Sequence, residues 1–137
     1  MSTFSLKIVT PDGVQFDGEC EALTVRTTSG EMGILPGHIN CVSPLGMGRA
    51  SISVNGEKRY AACMGGILTV LNGEVRLVPT TFEWADEIDM ERAKDSETRA
   101  RKTLGDSRIT EVEQRLAEAR LKRALVRQGV GTQMRVK

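Results

Sequence analysis

His38 is the only histidine in the chain, and it stands in GEMGILPGHIN, residues 30–40, a few positions after Glu31. A histidine oriented by a carboxylate can act as a general base. The rest of such a site is missing. No serine or cysteine sits in a G-x-S-x-G nucleophile setting, and there is no second histidine to share a metal. The simpler reading is that His38 hydrogen-bonds within a tight loop while Ile34 and Leu35 plug the edge of a sandwich. A hydrolase built on His38 and Glu31 is the catalytic alternative.

The glycines offer a second chemistry. Gly65-Gly66 would let a phosphate approach the backbone, and Gly46 and Gly48 form another pair. Neither G-x-x-x-x-G-K-[ST] nor a G-x-G-x-x-G opening a helix is present. Strand turns and bulges account for these glycines. Cys20, Cys41 and Cys63 are an odd number without C-x-x-C spacing. They read as free thiols in a reducing compartment, with no metal site.

Arginines offer the third. Arg92 and Arg99 are seven apart, and Arg120, Arg123 and Arg127 follow at i, i+3 and i+7. On antiparallel helices, Arg92 would meet Arg123 and Arg127. Such a cluster suits a polyphosphate or an acidic protein loop, because guanidinium forks pair bidentately with either. A solvated basic face with i,i+4 partners such as Glu118 and Lys122 is the alternative. Nucleic acid is disfavoured: the chain is near neutral at +1, and the basic segment holds no aromatic residue for stacking.

The elements that must position these residues come in two kinds. Up to about residue 85 the apolar residues alternate, as in FSLKIV (4–9) and ALTVRT (22–27). Asn55-Gly56 and Asn72-Gly73 separate later runs, and Asn-Gly suits the type I′ hairpin turn. This predicts an all-β sandwich over residues 1–85. From 86 to 137 the period becomes helical, with Asp86 or Asp89 as the first cap, Gly105 as the break, and Asp106 or Ser107 as the second cap. Gly129 is expected to end the second helix and leave a loose tail. The whole is an N-terminal sandwich followed by an antiparallel two-helix hairpin.

The hairpin is thinly apolar. The expected seams are Met90, Ala93, Ala100 and Leu104 on one helix, and Ile109, Val112, Leu116 and Ala119 on the other. Burying a leucine-sized side chain stabilises by about 1.5–3 kcal/mol, so so few contacts predict a hairpin able to leave its docking site. Charge divides at the same boundary. Residues 1–87 carry 6 Lys/Arg against 10 Asp/Glu, and residues 88–137 carry 13 against 8. Two parts with different partners are implied. No apolar run reaches the ~18 residues of a membrane span, and the first residues lack the apolar stretch of a signal peptide.

These motifs together resemble one family, the epsilon subunit of bacterial F-type ATP synthases. SGEMGILPGHIN, the early TPDG, GGIL at 65–68 and ADEIDMERA at 85–93 occur in the family's order. The resemblance implies a non-catalytic subunit of the central stalk, or rotor, of a proton- or sodium-translocating synthase. It implies a sandwich bound to the gamma subunit and the c ring, with Glu31 and His38 at that interface. It implies a hairpin that inhibits ATP hydrolysis when extended toward the beta subunits. It also implies that the folded hairpin binds ATP as a regulatory ligand through Ile88, Asp89, Arg92 and Ala93, with Glu83, Arg99, Arg123 and Arg127. No cofactor is required, membrane contact runs only through the complex, and the location is peripheral, on the cytoplasmic face of the bacterial inner membrane. A stand-alone ATP-binding regulatory module is the alternative.

Overall fold

The computed structural model describes residues 2–135, with the side chains of 133–135 set aside. The chain divides into two compact units, Met1–Trp84 and Ala85–Lys137.

The first unit is the expected sandwich of two five-stranded sheets. Its strands are β1 (Phe4–Thr10), β2 (Gly13–Cys20), β3 (Ala22–Thr27), β4 (Gly30–Ile34), β5 (Cys41–Pro44), β6 (Met47–Val54), β7 (Glu57–Met64), β8 (Ile67–Leu71), β9 (Glu74–Val78) and β10 (Thr81–Trp84). One sheet runs β2-β1-β9-β8-β5 and the other β10-β7-β6-β3-β4. All pairings are antiparallel except β1 with β9. Alternation sends Leu6, Ile8, Leu23, Val25, Ile52, Leu68 and Leu77 into one core, each fully buried. Both Asn-Gly turns take the predicted form: Asn55 and Asn72 have φ of 52° and 49°, followed by Gly56 and Gly73 at 80° and 83°. Gly66 is required for space as well, because a Cβ there would run into the carbonyl of Val78.

The second unit opens with a 3-10 turn, Ala85–Glu87, followed by α1 (Met90–Leu104) and α2 (Glu111–Arg135). Three local expectations need correction. The second helix is capped by Thr110, not by Asp106 or Ser107. Thr110 Oγ1 accepts from the Glu113 amide at 3.1 Å, and Glu113 Oε1 accepts from the Thr110 amide at 3.2 Å. This capping box satisfies two orphan donors at once. Asp106 instead closes the connecting turn by accepting from the amide and the guanidinium of Arg108.

Secondly, α2 does not stop at Gly129. It continues through Gly131, where a Cβ would collide with Met90 Sδ. Gly131 serves close approach to α1, while Gly129 lies within the helix with open space where a Cβ would stand. The expected loose tail falls partly on residues 136 and 137, which lie outside the described residues.

Thirdly, the seam on α2 is different. Val112 and Leu116 are 64% and 61% exposed, whereas Ala117 and Ala124 are buried. Ala117, Ala124 and Gly131 repeat every seven residues, as Ala93 and Ala100 do on α1. The helices therefore meet mainly along small residues, with Met90 of α1 packed on Gly131 and Val130 of α2 also buried. A buried methyl-sized group is worth about 0.8 kcal/mol, well below a leucine, so the hairpin is held more weakly than an Ile/Val/Leu seam would hold it.

Candidate functional site

Three surfaces carry the residues of interest. The first is the loop after β4. Glu31 is exposed on β4 opposite Arg26, while Ile34 is buried in the core. Beyond it the chain turns through Gly37, whose φ is +85°. His38 is half-buried, its amide donates to Leu35 O at 3.1 Å, and its Nδ1 lies 2.8 Å from Ile39 O. A carbonyl only accepts, so Nδ1 donates and fixes the tautomer. His38 is thus tied to its own loop rather than to Glu31, and the general-base arrangement is not built. Leu35 does not plug the sandwich as expected. It is 62% exposed, and Ile39 beside it is 77% exposed. The loop presents an apolar tip flanked by Glu31 and His38.

The second surface is the outer face of the sheet containing β5. Val42, Ile67, Leu71 and Val78 project there, all largely exposed. A shallow groove of about 590 Å³ runs over this face, lined by Asn40, Val42, Thr69, Leu71, Glu74 and Arg76 among others. Asn40 Oδ1 accepts from the Asn72 amide at 2.8 Å and fastens the end of the β5 edge to the β8–β9 turn. Sequence reasoning passed over this face. The signal was present in GILTVL, which is apolar at every position but one and so has apolar groups on both faces of its strand.

The third surface is the start of α1. In Ile88-Asp89-Met90-Glu91-Arg92-Ala93, most of the pattern builds a helix start. Asp89 is the N-cap, and its Oδ1 accepts from the Arg92 amide at 3.0 Å. Ile88 and Ala93, at the two staple positions, are both buried. The guanidinium of Arg92 is left over, since nothing in helix initiation needs it. Arg92 and Arg99 line a groove of about 550 Å³ with Asp89, Glu91, Asp95 and Thr98. The site residues are therefore grouped in part. Asp89, Arg92 and Arg99 share this groove. Arg123 and Arg127 are half-buried on α2 and are not in its described lining. Glu83 lies in the other unit, on β10 opposite Ala62.

The shifted groups among the described residues have structural causes. Burial pushes the Cys63 thiol up to about 12. Burial first, and the Glu19 charge second, push Cys20 up to about 11. The Gln128 amide, then Arg101, hold the Glu97 carboxyl below its ordinary value. Among the described residues no group of His, Cys, Asp or Glu could hold a metal ion, and no helix is long and apolar enough to cross a membrane.

The described residues form a ten-stranded sandwich followed by a two-helix unit, with a shaped Gly/Pro loop after β4. Residues 3–85 match the family described as ATP synthase, Delta/Epsilon chain, beta-sandwich domain, and the chain belongs to that family. Its relatives include the ATP synthase epsilon chains of Bacillus cytotoxicus, 41% identical over 93% of this chain and 95% of that one, and of Bacillus mycoides, 40% identical over 95% and 97%. The same fold occurs in a chain of the Euglena gracilis mitochondrial ATP synthase OSCP/F1/c-ring assembly. The TM-score there is 0.82 at 23% identity, covering 100% of this chain and 83% of that one. A chain of the Tetrahymena thermophila mitochondrial ATP synthase central stalk and c ring gives 0.64 at 15% identity, covering 93% and 95%. The expectation of a non-catalytic subunit agrees with this membership.

Proposed function

We propose that the chain is a rotor subunit of a proton- or sodium-translocating F-type ATP synthase, held in the central stalk by its sandwich and regulating ATP hydrolysis through its hairpin. The observation that carries the reading is the exposed apolar face of Val42, Ile67, Leu71 and Val78. Contiguous exposed apolar groups mark interaction surfaces, and the gamma subunit is the partner this face would take. The c ring would meet the loop tip of Leu35 and Ile39, with Glu31 and His38 as its polar flanks. Membrane contact then runs through the complex, on the cytoplasmic face of the membrane.

The small-residue seam of the helical unit supports a regulatory element that rearranges, because weakly held elements are the ones drawn into switching. When extended, its basic helices would face acidic segments of the beta subunits. ATP would favour the folded form by differential affinity. Ile88, Asp89, Arg92 and Ala93 would form that site with Glu83, Arg99, Arg123 and Arg127. The guanidinium of Arg92, unused by helix initiation, supports this reading.

The test is the hydrolysis rate of assembled synthase carrying the full chain or a chain ending at residue 87. Faster hydrolysis by the truncated assembly, with gamma still bound, is expected. Equal rates would remove the inhibitory role.

A further inference from the structure

Asp95 stands between two arginines. Arg92, Asp95 and Arg99 follow at i, i+3 and i+7 on α1, so their side chains share one stripe of the helix. All three line the same groove. Its other polar groups are committed or turned aside. Asp89 caps the helix, and the Thr98 hydroxyl donates to Lys94 O at 3.1 Å. Glu91 lies about a quarter-turn from the arginine stripe at ~100° per residue. Asp95 is exposed and, among the described residues, its carboxylate takes part in none of the ion pairs. The groove also holds one more carboxylate than guanidinium, a poor balance for a polyphosphate.

We propose that Asp95 is a built-in competitor for anions at this groove. Its carboxylate, one turn from each guanidinium, offsets their attraction for the phosphates of a nucleoside triphosphate. It thereby raises the concentration at which that ligand engages the helical unit. The inference rests on reading the groove as a nucleotide site. Asp95 is the residue to change because removing Asp89 would also remove the helix cap.

ATP without divalent cations is titrated calorimetrically into the full chain and into Asp95→Asn, Asp95→Ala, Arg92→Ala and Glu57→Gln proteins. Removing one unit charge beside the phosphates is expected to tighten binding about fivefold in both Asp95 variants. The gain should shrink at high salt, because screening weakens exposed charges. Glu57→Gln, with the same charge change at the exposed start of β7 in the sandwich, should leave affinity unchanged. Unchanged or weaker binding by the Asp95 variants, with binding lost in Arg92→Ala, would overturn the role of Asp95 and leave the nucleotide site standing. Equal tightening by Glu57→Gln would reduce the effect to net charge and overturn it too. No heat in any of the proteins would overturn both readings.

Discussion

Gln128 Nε2 on α2 donates to Glu97 Oε1 on α1 at 2.8 Å, joining the two helices across 31 positions of sequence. The other carboxylate oxygen of Glu97 accepts from Arg101 Nε at 2.7 Å. Along a seam in which alanine and glycine predominate, this bond adds a directional polar link between the helices.

Gln128→Ala should therefore loosen the hairpin without disturbing the sandwich. Hydrogen–deuterium exchange is expected to quicken severalfold in both helices near the seam and to stay unchanged in β1–β10. Unaltered helical protection would mean that the small-residue seam sets the register alone.

Acid should act on the same bond. The Glu97 carboxyl is held below its ordinary value of 4.5, by the Gln128 amide first and Arg101 second. The folded carboxyl thus binds its proton less readily than the unfolded one. Its contribution is fully present above pH 4.5 and is lost as pH falls through the lower, folded value. Glu97 is half-buried at the edge of the seam, so the effect is local and should show as helix opening below pH 4.5. Glu97→Gln should abolish this pH dependence.

The capping box gives an energetic test. Thr110→Ala removes the oxygen that accepts from the Glu113 amide and should destabilise α2 by about 1 kcal/mol, with Thr110→Ser close to neutral. Helical melting followed by far-UV circular dichroism reads the difference. Asp106→Ala should alter the connecting turn instead, because Asp106 bonds Arg108.

The thiols should separate by accessibility. Cys20 and Cys63 are buried, with thiols pushed up to about 11 and about 12, and so carry almost no thiolate at mildly alkaline pH. Cys41 is half-buried at the β5 edge. Mass spectrometry after brief alkylation of the folded chain should find modification at Cys41 alone. Rapid labelling of Cys63 would contradict the closed core.

The sandwich was legible because period-2 alternation and Asn-Gly turns are local signals, and both refer to backbone geometry that tertiary context rarely overrides. The hairpin was legible in outline only. Ile109, Val112 and Leu116 look like a seam on hydrophobicity, yet α2 turns Ala117, Ala124 and Gly131 inward, because close helix approach selects for small size rather than apolar bulk. Thr110-Glu111-Val112-Glu113 carried a readable capping box that the nearer Asp106 and Ser107 obscured. At the candidate site, the spacing of Arg92 and Arg99 predicted their shared face. No spacing within one helix could say that Arg123 and Arg127 lie outside that groove, since that depends on the rotation of α2 about its own axis.

Co-purification tests the central reading most directly. A tagged full chain, expressed in cells that make the synthase, should recover the gamma subunit and the remaining synthase subunits in stoichiometric amounts. Val42→Asp combined with Leu71→Asp should lose them while the sandwich stays folded, since both side chains are exposed, at 72% and 62%. Recovery of no synthase subunit by the unaltered chain, or full recovery by the double variant, would contradict docking through this face.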